Sequence, residues 1–143
     1  MTVARILANK GHEVVTTQPH RTLLEVSKIL CEKGIGAVVV TDAAGALLGI
    51  ASERDIVRAL GSSGVAALED PVSRHMTARV VTTTRDSSVH STMEMMTHGR
   101  FRHVPVVHNG RLEGLVSIGD MVKYRIAEIE NERKALQEYI ATA

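Results

Sequence analysis

The chain has 143 residues, 44% hydrophobic and 23% charged, a composition that supports one well-buried domain or two small interlocked ones. Lys and Arg number 17 against 16 Asp and Glu, so a formal charge of +1 supplies no overall basic field for nucleic acid or an anionic membrane. One cysteine excludes an intrachain disulfide, aromatics at 2% leave almost no base-stacking surface, and no apolar run approaches a membrane span or signal-peptide core, which makes the cytoplasm the expected location.

Thr2 is placed to cap a short amphipathic helix carrying Val3, Ile6 and Leu7, closed by Gly11 with Lys10 in its last turn. Residues 14–17 read as a short strand, ended by Pro19. Thr22 opens a helix with Leu23, Val26, Ile29 and Leu30 on one face, and Gly34 stops it. Residues 35–41 form a continuous β-branched run, expected as a strand buried on both sides, and Asp42-Ala-Ala-Gly45 turns it into a partner at 46–51. Ser52 begins a helix expected to reach about Leu60, where Gly61-Ser-Ser-Gly64 breaks it.

The pattern then repeats. Residues 80–83 match 14–17, helix 88–98 replaces 22–32, and strand 104–107 replaces 38–41, at the displacement of 66 that separates Val14 from Val80. After the tight-turn dipeptide Asn109-Gly110 the displacement falls to 65, so that Gly49-Ile-Ala-Ser-Glu-Arg-Asp-Ile-Val57 returns as Gly114-Leu-Val-Ser-Ile-Gly-Asp-Met-Val122. The leading helices correspond as well, 3–7 with 72–76, and 61–71 joins the copies. Two such copies are too small to stand alone and are expected to pack about a pseudo-two-fold axis. The last helix, from Ser117 to about Ile140, is longer than the fold requires. Its stripe of Val122, Ile126, Ile129, Leu136 and Ile140, interrupted by Arg133, either folds back on the module or pairs with a second chain.

Each repeated motif sets a Ser at a strand end and an Asp on the first turn of the following helix. Such a pair builds a capping box, although a box prefers Glu or Gln, or it holds an anion or a ribose against the helix N-terminus. Arg100-Phe-Arg-His103 concentrates two guanidiniums and an imidazole, a phosphate-binding composition or else a solvated strand edge. The matching Gly34-Ile-Gly-Ala37 has no charge, so the two sites differ, and copy one carries Arg54 where copy two has Gly119. No nucleophile with an adjacent base and no acid/base pair can be assembled. The seven His residues lack zinc-site spacing; Cys31 and Met93, Met95 and Met96 read as core.

The duplicated β-α-β-β-α pattern, with its Pro-Val-Val strand and Gly-x-x-Ser-x-x-Asp motifs, resembles a tandem pair of CBS domains, a Bateman module, over about residues 3–125. The resemblance implies an α/β (α+β) fold with repeat 1 at 1–62, a linker at 63–71, repeat 2 at 72–130 and a helical extension at 131–143. It implies adenosine-containing ligands in the clefts between repeats. Site 1 is then Thr16, Ile35, Gly36, Val38, Ser52, Arg54 and Asp55; site 2 is Thr82, Phe101, Arg102, His103, Val104, Pro105, Ser117 and Asp120. Val14 and Val80 are further candidates for the adenine wall. Each Asp would accept from a ribose diol, and the arginines favour phosphate over the sulfonium of S-adenosylmethionine. AMP leads, with ADP, ATP and NAD(H) as alternatives, and the Asp120 site is expected to bind more tightly. The expectation is a non-catalytic sensor, a homodimer acting on an unknown regulated protein, without nucleic acid or membrane. The alternative is an interaction protein whose dimer or last helix docks a partner and whose clefts are vestigial.

Overall fold

The computed structural model describes residues 1–142. Its first sheet has the order β1 (Thr16–Thr17), β2 (Ala37–Thr41), β3 (Leu47–Ser52), with β1 parallel and β3 antiparallel to β2. Every residue of β2 is buried, as its unbroken β-branched run requires. The second sheet pairs β4 (His103–His108) with β5 (Arg111–Ser117), joined by a tight turn in which Asn109 and Gly110 both take positive φ.

The expected strand at 80–83 shrinks to one parallel bridge between Thr83 and Val106. Proline chemistry explains the loss. In the first copy Val39 N donates to Val15 O at 3.1 Å, but the equivalent position of the second copy is Pro105, which has no N–H to give. Only the bonds on either side survive, Thr83 N to Pro105 O and Val107 N to Thr83 O.

Local chemistry sets the helix ends. The side chain of Thr22 caps α2 (Leu23–Lys33) and that of Ser88 caps α5 (Val89–Gly99). α2 stops at left-handed Gly34, while α5 stops at Arg100, a non-glycine residue at φ 58°. Thr2 makes no side-chain cap for α1 (Val3–Lys10); its backbone instead bridges Ser88. α3 (Glu53–Ser63) runs through Gly61, beyond the expected break, and ends at Gly64. Cys31, expected in the core, is exposed, because α2 buries Leu23, Val26 and Leu30. A 3-10 turn at Val65–Glu69 leads to α4 (Val72–His75), and α6 (Ile118–Thr142) closes the chain. The last residue of the expected extension, Ala143, lies outside the described residues.

The repeats exchange their leading helices. Val3, Ile6 and Leu7 of α1 pack in one core with Val89, Met96, Val104, Val106, Val116 and Met121 of the second copy. Val72 of α4 packs in the other core with Leu23, Val26, Val38, Val40 and Ala51 of the first. Each spatial unit is thus completed by a helix from the other half of the sequence, and the segment following each leading helix crosses between the units.

Candidate functional site

β3 delivers Ser52 to the start of α3, and β5 delivers Ser117 to the start of α6. Both motifs form a reciprocal cap in spite of the short Asp side chain: Asp55 Oδ2 accepts from Ser52 N at 2.8 Å, and Asp120 Oδ2 accepts from Ser117 N at 2.8 Å. The caps engage Oδ2 and not Oδ1. Glu53 N donates to Gly36 O at 3.0 Å and Ile118 N to Arg102 O at 2.8 Å, so each motif is stitched to the strand approach beside it.

Around Asp55 lies a cavity of about 530 Å³ walled by both repeats. The first repeat contributes Gly36, Ile50, Ser52, Glu53, Arg54, Asp55 and Arg58; the second contributes Thr77, Arg79, Val80, Val81 and 99–103. Five arginines, Arg54, Arg58, Arg79, Arg100 and Arg102, line the cavity together with two acidic residues, Glu53 and Asp55. Three local features assemble them. Arg54 and Arg58 stand one turn apart on α3. Thr77 bonds to Ile50 in both directions, at 3.0 and 2.9 Å, which carries the crossing segment with Arg79 past the motif. Arg54 donates to the carbonyl of Arg100 at 2.8 Å, tying the repeats across the cavity. Phe101 covers Gly99, where any Cβ would run into the ring.

His103 stands where the two motifs approach each other, its ring 3.2 Å from where a Cβ on Gly36 would be. Burial pushes the imidazole below its ordinary pKa and Lys10 adds to this, against the opposing pull of Asp120 and Glu53.

The surroundings of Asp120 are built differently. Lys10, at the end of the exchanged α1, donates to Asp120 Oδ2 at 2.6 Å and to Leu115 O at 2.7 Å. His12 Nδ1 lies 3.1 Å from Glu113 O. Burial pushes the Asp120 carboxyl up, but the bonds from Lys10 and Ser117 outweigh it and hold the pKa below the usual carboxylate value.

The residues expected for the two sites are regrouped. Gly36, Ser52, Arg54 and Asp55 share the cavity with Phe101, Arg102 and His103, whereas Ser117 and Asp120 do not line it. Arg100, Phe101, Arg102 and His103 therefore line the cavity at Asp55, although the Arg102 carbonyl also accepts from Ile118 N beside the motif of its own repeat. Val38 and Val104 have no exposed surface and Pro105 is buried within β4, so their positions belong to the sheets; Ile35 packs against the first core, and Thr16 and Thr82 face solvent. Of the residues outside both expected sets, Arg58 was signalled by its spacing of four from Arg54. Ile50, Thr77, Arg79 and Val81 carried no such local mark.

Among the described residues no group of three or more His, Cys, Asp and Glu is gathered to hold a metal ion, and no helix is long and apolar enough to cross a membrane.

The family model of the CBS domain matches residues 3–62 and 72–127. A CBS-domain containing protein from Agrobacterium tumefaciens has the same fold at a TM-score of 0.86 and 50% identity, over 87% of this chain and 99% of that one. A CBS domain protein from Pyrobaculum aerophilum complexed with AMP matches at 0.75 and 28% identity, over 84% and 89%. A CBS domain pair solved in complex with 5′-methylthioadenosine and S-adenosyl-L-methionine matches at 0.80 and 26%, over 90% and 98%. The chain spans 73%, 66% and 60% of the length of the first three curated relatives it matches.

Proposed function

The chain belongs to the CBS-domain family, and from that premise we propose that its Asp55 cleft binds an adenine nucleotide as a regulatory signal, without catalysing its turnover. Support comes from solved relatives whose ligands are AMP, 5′-methylthioadenosine and S-adenosyl-L-methionine. The observation that carries the reading is that five arginines line the cavity that also holds Asp55 and the N-terminus of α3. Asp55 offers an acceptor to the ribose diol, the arginines and helix N-terminus take the phosphates, and Val80, Val81 and Phe101 provide an apolar wall for the base. Five cations against two anions suit ADP or ATP better than AMP, the reverse of the order expected from sequence, and disfavour a sulfonium. Because both repeats wall the cavity, a ligand there favours whichever relative placement of the repeats it fits best, which is how occupancy becomes a signal to a partner.

We extend the reading to a homodimer through α6, whose Val122, Ile126 and Ile129 are 43%, 58% and 47% exposed on spacings of four and three. Calorimetric titration with AMP, ADP, ATP, NADH and S-adenosylmethionine tests the ligand reading. A nucleotide that binds only the folded protein and is present at 100 times its dissociation constant adds about 2.7 kcal/mol of stability. No heat and no rise in unfolding midpoint with any of the five would overturn it and leave an interaction protein with vestigial clefts.

A further inference from the structure

We infer that the cleft at Asp120 is occupied by the chain itself: the Lys10 ammonium stands in for a ligand there, so each chain takes up one nucleoside, at Asp55. The inference rests on the proposed nucleotide reading for the Asp55 cleft alone; what closes the second cleft is read from contacts already made. Lys10 Nζ bridges two acceptors of the second motif, the Asp120 carboxylate at 2.6 Å and the Leu115 carbonyl at 2.7 Å. The carboxylate that would receive a ribose diol is thereby paired with a cation. At the equivalent place in the first repeat the Ile50 carbonyl accepts from a backbone amide, Thr77 N, and Asp55 takes its described hydrogen bonds from Ser52. The difference originates in the leading helices. α1 continues through Lys10 before the chain crosses, whereas α4 ends at His75 and the chain is already extended at Thr77. The longer helix carries its terminal Lys into the motif, and Leu7, packed on Gly114, anchors that helix. With side chains 38% and 24% exposed, the pair is open enough at its edge for substitution to free the cleft.

The test is calorimetric stoichiometry with adenosine, which is uncharged and so reports the ribose and base positions without phosphate attraction. Wild-type protein is expected to bind one adenosine per chain, lost in Asp55→Ala. Lys10→Met, which keeps the aliphatic stem and removes the ammonium, is expected to bind two, the second lost when Asp120→Ala is added. Lys10→Ala, shown to be folded by an unchanged circular dichroism spectrum, serves as the second variant. Two adenosines per wild-type chain, one of them lost in Asp120→Ala, would overturn the inference while leaving the nucleotide reading intact. So would a stoichiometry of one in both Lys10 variants. No binding by wild type, with one Asp120-dependent site in Lys10→Met, would sink the Asp55 reading and keep the inference; no binding by either protein would sink both.

Discussion

Leu7 occupies the space in which a side chain at Gly114 would lie: its Cδ2 is 2.6 Å from where a Cβ there would stand. Met76 holds the corresponding place over Gly49, with Sδ at 2.6 Å and the Thr77 carbonyl at 2.8 Å. The glycine that opens each repeated motif therefore admits the leading helix of the other repeat. Replacing either by Ala overpacks the junction and is expected to cost about 1–3 kcal/mol in urea unfolding. Gly49→Ala should be the worse of the two, because one of its obstacles is backbone already bonded to Ile50.

Asp55→Asn retains the size of the side chain and removes its charge. Charge-assisted hydrogen bonds contribute about 1.5–3 kcal/mol, so nucleotide affinity should fall by at least about tenfold. Asp120→Asn should leave nucleotide affinity within about twofold of wild type, since the arginines line the other cleft. Calorimetric dissociation constants for ATP with the two variants check both expectations.

Two carboxyl and imidazole titrations separate along the pH axis. The folded pKa of His103 is depressed, so its contribution is complete above the unfolded value of about 6.5 and is lost as pH falls below that through the folded value. The folded pKa of Asp120 is depressed too; its contribution is complete above about 4 and is lost below that, as the carboxyl protonates. Unfolding midpoints recorded from pH 8 to pH 3 should show both declines, with His103→Gln flattening the first and Lys10→Met the second.

Ile126→Asp combined with Ile129→Asp places charge on the exposed stripe of α6. Light scattering is expected to give a dimer for the wild-type 15.5 kDa chain and a monomer for the double variant, with unchanged circular dichroism. A wild-type monomer would remove the dimer from the proposed function.

Much of this protein is readable one segment at a time. The all-buried β2 follows from its run of valines, the ends of α2 from Thr22 and Gly34, the β4–β5 hairpin from Asn109-Gly110, and the pairing of the repeats from motifs that recur in order. Those features are satisfied by residues within a few positions of one another, so short stretches encode them. Even the missing strand at 80–83 was implicit in Pro105, whose lack of an N–H needs no tertiary knowledge.

What the sequence by itself determined was thus the inventory of elements, the duplication and the chemistry available to a cleft. Only the tertiary structure decided which groups meet. Exchange of α1 and α4 brings Arg79 to the Asp55 cavity and Lys10 to Asp120, and contacts such as Arg54 with Arg100 and Lys10 with Asp120 join residues 46 and 110 positions apart. The two motifs are the same in their Ser and Asp and differ locally at Arg54 against Gly119, but neither motif carries the Lys10 that pairs with Asp120. Long-range contacts decide that pairing: Leu7 packs on Gly114, Met76 packs on Gly49 and Thr77 bonds to Ile50, which together fix where each crossing segment passes.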